Sequence, residues 1–330
     1  MEYKPQPDRY TNGMFYRRCG DSGIQLPVIS LGFWHNFGNT DCYATGLELV
    51  EYAFDHGVCH FDLANNYGPP AGSAEENFGR MMKQSFAAHR DEMFITSKAG
   101  HEMWPGPYGG CSSRKNLMAS IDQSLKRMNL DYVDLFYSHR YDGITPIDET
   151  MQALVDIVRQ GKALYIGLSK YPVDKLLYAL NYLHDAGVPC LAYQDRYNMF
   201  DRHIEKEHLK ICMEKGIGVV AFSPLAQGIL SSKYLNGIPA DSRAARPEGY
   251  LKQSDVTPDK IAKVAHLRPI AEQRGQSISQ LAIAWILRRK EIGSVIIGAR
   301  NLDQLKNSLH AVDNLSLSPS EIELIENILK

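Results

Sequence analysis

The chain has 330 residues, 44% hydrophobic and 22% charged, with a mean hydropathy of -0.31, which supplies material for a core and excludes disordered and fibrous classes. Its 36 Lys and Arg against 38 Asp and Glu leave a net charge of -2, so no global positive field exists to hold a nucleic acid or an anionic membrane. At roughly 100 to 200 residues per domain the length suggests two domains, although an α/β barrel occupies such a length as one.

Residues 1–10 contain no apolar stretch of the signal-peptide kind, and no run reaches the roughly 18 apolar residues of a membrane span. Six cysteines, Cys19, Cys42, Cys59, Cys111, Cys190 and Cys212, lie far apart without a CxxC pair and read as reduced thiols. A soluble cytoplasmic protein is expected.

Residues 14–27, with Gly20-Asp21-Ser22-Gly23 at a turn, read as a hairpin placed to plug a barrel floor. After it, one local phrase recurs four times: a polar helix end, a glycine (Gly57, Gly161, Gly187, Gly216) and an apolar or β-branched run. Glycine reaches the left-handed conformation that closes a helix, and a buried parallel strand reads as a short continuous apolar run. Each phrase is therefore a helix-to-strand junction.

Candidate strands are 28–33, 58–62, 93–98, 132–139, 163–169, 190–194, 218–223 and 294–298. Between them lie helical faces such as Leu117, Ile121, Leu125 and Met128, or Met151, Leu154, Val155 and Val158. Eight alternating units with right-handed crossovers predict an α/β fold, a (β/α)8 TIM barrel in a single domain over 1–330, with a doubly wound sheet as the runner-up.

The longest gap, before the eighth strand, holds a Gly/Pro/Arg-rich stretch (236–247), a helix begun by Thr257-Pro258 and another over 280–289. Ser318-Pro319-Ser320-Glu321 is a capping box that opens a final helix. The mixed charges of 203–210 read as a solvated helix face.

Barrel active sites form at the C-terminal strand ends. There the sequence places Asp62 with Tyr67 just beyond, Lys98, His139, Ser169, Gln194 and Ser223. A carboxylate, a lysine and a histidine on neighbouring strand ends cannot all be core residues, since buried charges must be paired. The group suits carbonyl reduction, with Tyr67 as the proton donor. A lysine ammonium at about 4 Å, with an effective dielectric near 20, favours phenolate by roughly 4 kcal/mol and is expected to bring Tyr67 near working pH. Asp62 would orient Lys98, and His139 would direct the carbonyl oxygen. No side chain donates a hydride, so a nicotinamide cofactor is required.

Trp34, Tyr67 and Trp104 follow the first three strands and are expected to wall a substrate pocket with His139. GxGxxG, Walker A, HExxH and GxSxG motifs are lacking. His56, Cys59 and His60 have ligand-like spacing, but Gly57 breaks the helix between them and no metal is expected.

At these residues the chain resembles the aldo-keto reductases over nearly its whole length. The tetrad corresponds to Asp62 and Tyr67 in Phe61-Asp62-Leu63-Ala64-Asn65-Asn66-Tyr67-Gly68, Lys98 in Thr96-Ser97-Lys98, and His139 in Tyr137-Ser138-His139-Arg140. The most similar branch holds bacterial L-glyceraldehyde 3-phosphate reductases and potassium-channel β-subunits. The resemblance implies NADPH extended across the barrel mouth, with Trp34 and Asp62 at its nicotinamide and Ser169 and Gln194 on the carboxamide. The loop from Ser223 through Leu225 and Gln227 to Gly228, with Lys233 and Arg243, would clasp the pyrophosphate. Gly298, Arg300 and Gln304 would hold the 2'-phosphate end. The chain departs from the family pattern in Asn307-Ser308, where Glu-Asn is frequent, and in Arg300-Asn301, where Ser-Arg is usual.

The resemblance implies reduction of small aldehydes such as glyceraldehyde 3-phosphate or methylglyoxal, and a homo-oligomer, tetrameric or larger, by analogy. Lacking a long C-terminal loop after the last helix, the chain is expected to have an open pocket and broad specificity. Two rival functions are a cofactor-sensing accessory subunit of a membrane channel and a glycoside hydrolase. The first is disfavoured by a short N-terminus and by His139, where channel subunits carry another residue. The second needs paired carboxylates, for which Asp142 would have to join Asp62.

Overall fold

The computed structural model describes residues 3–240, 242–245 and 250–330. Met1 and Glu2 of the 1–10 segment, and Asp241, Arg246 and Pro247 of the 236–247 stretch, lie outside the described residues. An antiparallel hairpin, β1 (Tyr16–Arg18) and β2 (Gln25–Pro27), precedes eight parallel strands. These are β3 (Ile29–Gly32), β4 (His60–Asp62), β5 (Phe94–Ala99), β6 (Val133–Ser138), β7 (Ala163–Ser169), β8 (Cys190–Arg196), β9 (Gly218–Phe222) and β10 (Ile292–Ile297). β10 returns to β3 with Val295 opposite Ile29, so the sheet closes into a (β/α)8 barrel and the doubly wound alternative falls.

Around the barrel run α1 (Tyr43–Asp55), α2 (Ser73–Met81), α3 (Arg114–Met128), α4 (Ile147–Arg159), α5 (Val173–Asp185), α6 (His208–Glu214), α7 (Pro258–Gln273), α8 (Ile278–Leu287), α9 (Leu302–Leu309) and α10 (Pro319–Leu329). The four junction glycines are left-handed, with φ of +80° at Gly57, +73° at Gly161, +74° at Gly187 and +66° at Gly216. The predicted helix starts are also present. Thr257 accepts from the Lys260 amide, and Ser318 and Glu321 close a capping box on α10.

The core has two parts. One lies between barrel and helices and takes Leu117 and Ile121 of α3 and Met151 and Leu154 of α4. The other fills the barrel with Leu135, Tyr137, Ala192, Val220 and Ile296, and Cys19 and Leu26 of the hairpin segment join it. Gly167 makes room for this filling, because a Cβ there would lie 2.3 Å from the Tyr137 ring. All six cysteines are free.

The 203–210 charge run differs from expectation. A short turn, His203–Glu205, is followed by a break and then α6, because Ile204 and His208 are buried rather than solvated. The His208 ring stacks on Tyr193 at 5.4 Å.

Candidate active site

Asp62 is the last residue of β4 and stands in register with Thr96 of β5. Side chains alternate along a strand, so Thr96 and Lys98 share one face and both reach Asp62. Lys98 Nζ donates to both Asp62 oxygens at 2.7 Å and to the Leu63 carbonyl at 2.6 Å. Thr96 Oγ1 and Gln194 Nε2 donate to Asp62 Oδ1 at 2.9 Å each. All three Lys98 donors therefore meet oxygens, which is how an ammonium survives full burial.

Tyr67 closes over this pair, its ring centroid 5.3 Å from Lys98 Nζ. His139 immediately follows β6, and its ring lies edge-on to Tyr67 at 5.9 Å. The His139 ring also stands perpendicular to His101 at 4.4 Å, and His101 Nε2 meets Lys170 Nζ at 3.3 Å. Ser169, at the end of β7, pairs in register with Gln194 of β8.

The electrostatics correct one expectation. Tyr67 does not move toward neutral pH. Burial first, and then the Asp62 charge, push its phenol well above the usual value of 10. The lowering expected from Lys98 is offset because the same ammonium is neutralised by two Asp62 oxygens. Tyr67 is thus a phenol, with a proton to give. Burial, and then the Lys98 charge, hold His139 well below 6.5, so its imidazole is neutral.

Above these groups opens a cleft of about 1120 Å³. Its wall includes Trp34, Asp62, Tyr67, His139, Ser169 and Gln194, together with Ser223, Leu225, Gln227, Gly228, Lys233, Arg243, Gly298, Arg300 and Gln304. Lys98 lies beneath it. Trp104 is not part of this wall: it sits half-buried in a loop that turns back on itself, where Met103 donates to the Gly109 carbonyl at 2.8 Å. Asp142 is also elsewhere, accepting from the Ser112, Ile144 and Thr145 amides. His56 Nδ1 meets the Tyr52 carbonyl, while His60 points into the barrel onto Ser30 at 2.7 Å, so the two do not converge. The sequence reading missed His101, Lys170, Arg196 and Tyr250 on the cleft wall.

The aldo/keto reductase family profile matches residues 28–330. The chain belongs to the aldo/keto reductase family. It is 48% identical over 332 residues to L-glyceraldehyde 3-phosphate reductase of Escherichia coli O157:H7, covering 99% of this chain and 95% of that protein. It is 36% identical over 325 residues to a probable voltage-gated potassium channel subunit beta of Arabidopsis thaliana, covering 96% and 97%. A counterpart from Oryza sativa subsp. japonica is 35% identical over the same length.

This reductase is thus an oxidoreductase that uses a nicotinamide cofactor, and its cleft fits one. Ser169 Oγ is buried and meets no hydrogen-bond partner among the described residues, beside a Gln194 whose amide nitrogen alone is engaged, by Asp62. A carboxamide would satisfy both. On the same wall Arg300 begins the turn into α9, its amide donating to Gln304 Oε1 at 3.0 Å, and its guanidinium makes no ion pair among the described residues. No helix among the described residues is long and apolar enough to cross a membrane.

Proposed function

We propose that this reductase converts small aldehydes to alcohols with NADPH as its cofactor, glyceraldehyde 3-phosphate and methylglyoxal being the first substrates to try. The observation that supports this most is the burial of Asp62, Lys98, Tyr67 and His139 together, three of them on the wall of one cleft and Lys98 bonded to Asp62. The Arg300 guanidinium favours NADPH over NADH, because a 2'-phosphate offers the planar, charge-assisted contacts that arginine takes best.

Bound in the cleft, the nicotinamide supplies the hydride. The residues then do the rest. Asp62 is held by Thr96 and Gln194 and fixes Lys98, which keeps a positive charge behind the Tyr67 ring. Tyr67 gives its proton to the alkoxide that forms as the carbonyl carbon is reduced, a general-acid step worth roughly 10²- to 10⁴-fold. His139, neutral, directs the carbonyl oxygen without adding a charge that would repel Lys98. Trp34 contributes an apolar wall beside the reacting carbon.

We assign the whole of 1–330 to one barrel domain, the protein to the cytoplasm and its assembly to a homo-oligomer by analogy with the channel-subunit relatives. The test of the function is NADPH consumption by purified protein with glyceraldehyde 3-phosphate, methylglyoxal and glyceraldehyde. Turnover with at least one of them, faster with NADPH than with NADH, is expected. No turnover with any aldehyde, despite NADPH binding, would overturn the reading.

A further inference from the structure

On the wall of the cleft that also holds His139 stands a cation with no counterion among the described residues. Lys170 follows β7 directly, in the left-handed region at φ +54°, its amide donating to the Gln194 carbonyl at 3.3 Å. Its side chain is half-buried, makes no ion pair among the described residues and meets only His101 Nε2 at 3.3 Å and the Phe222 ring at 6.0 Å. The acidic group bearing most on it, Asp195, is already engaged: Oδ2 accepts from Tyr193 OH at 2.5 Å and from His203 Nε2 at 3.3 Å, and Oδ1 from the Arg196 amide at 2.7 Å. A partly desolvated ammonium in such a place is unfavourable unless something else pairs with it.

Lys170 carries three donors, and one is directed at His101. Burial, and then the charges of Lys170 and Arg140, hold His101 neutral, at about 4, so it can accept that hydrogen bond and fix the ammonium. Two donors remain. Because the His101 ring abuts His139, they stand one ring away from the residue assigned to the carbonyl oxygen. Arg196, on the same wall, adds positive field, although Asp201 at 3.7 Å pairs with it.

We propose that Lys170, positioned by His101, binds a phosphate carried on the carbon chain of the aldehyde and so selects phosphorylated short-chain aldehydes over neutral ones. This rests on the reductase reading above and names the substrate class of that same site. Lys170 binds the anion; His101 is a positioning residue. A phosphate two carbons from the carbonyl presents several acceptor oxygens to two donors, whereas a carboxylate presents two, so the phosphate is favoured.

The experiment compares kcat/KM for glyceraldehyde 3-phosphate, glyceraldehyde and succinic semialdehyde with NADPH, in the wild type and in Lys170→Met, Lys170→Arg and His101→Phe. In Lys170→Met the ratio of glyceraldehyde 3-phosphate to glyceraldehyde should fall roughly 10- to 100-fold, the range of one charge-assisted hydrogen bond, mainly through KM. Lys170→Arg should recover much of the ratio, and His101→Phe should lose part of it. Inorganic phosphate should compete with aldehyde in the wild type and not in Lys170→Met. An unchanged ratio, or a loss in NADPH binding that accounts for the effect, would overturn the assignment. A ratio that moves only for succinic semialdehyde would replace phosphate by carboxylate and overturn it too. If the wild type reduces no aldehyde, the functional reading fails, and direct titration with inorganic phosphate against Lys170→Met still decides the subsite.

Discussion

Asp62 accepts hydrogen bonds from three side chains, and that crowding sets what every neighbour can do. Lys98→Met would leave Asp62 buried and unpaired, at a cost of about 3–5 kcal/mol that should appear as a lower urea midpoint. Turnover should fall at least about 100-fold, since the charge behind Tyr67 is lost. Adding Asp62→Asn should recover stability without turnover; recovery of both would remove the pair from the mechanism. Lys170 gives a pH prediction. Burial pushes it down to about 8, with Asp195 opposing and Lys98, Arg196 and Arg140 adding to the depression, while neutral His101 faces it. The protonated form binds the anion, so kcat/KM for glyceraldehyde 3-phosphate, which reports the free enzyme, should decline as pH rises through about 8, and more steeply than for glyceraldehyde. Parallel profiles would contradict it. The tetrad was legible from sequence because each member ends or follows a strand whose apolar run is recognisable. The state of Tyr67 was not, because it depends on both Asp62 oxygens facing one ammonium. Nor were His101 and Lys170, whose meeting is fixed by the closeness of two loops and by no motif.

Elements were most legible where a backbone requirement recurs. The left-handed glycines mark helix ends whatever the tertiary context, so Gly57, Gly161, Gly187 and Gly216 located four strands correctly. They are not equivalent under substitution. At Gly161 an added Cβ meets nothing within 4 Å, so Gly161→Ala should cost only the left-handed strain, about 1–2 kcal/mol. At Gly57 the Cβ would lie 2.6 Å from the Arg9 carbonyl oxygen and 2.8 Å from Met14 Cβ, so Gly57→Ala should cost at least about 1 kcal/mol more. Equal urea midpoints for the two variants would refute the distinction. The charge run at 203–210 misled because pattern alone cannot show that His208 finds an aromatic partner on β8. The capping of α10 carries a pH dependence. The Arg274 hydrogen bond, with help from the Ser318 amide, holds Glu321 at about 2 against a usual 4.5. Its stabilisation is therefore present above about pH 4.5 and disappears as pH falls through about 2. Thermal melts of Glu321→Gln should differ from the wild type at neutral pH and converge with it in acid; a constant offset would assign the effect to something other than this charge.

At the scale of the molecule, the barrel brings to one mouth residues that are far apart in the chain, from Trp34 to Gln304. The count of eight alternating units was enough to predict closure, and β10 beside β3 is that prediction in hydrogen bonds. Trp104 follows β5 yet is not on the wall of this cleft, so a place after a strand end does not by itself put a side chain there. The homo-oligomer proposal predicts a mass by light scattering of several times 37.1 kDa, and a monomer would end it. The central claim is that this mouth reduces aldehydes with a proton from Tyr67, and one comparison tests it most directly: turnover and NADPH affinity measured side by side for the wild type and Tyr67→Phe. The account predicts that turnover falls at least about 100-fold while NADPH affinity stays within about threefold. Full activity in Tyr67→Phe would contradict it.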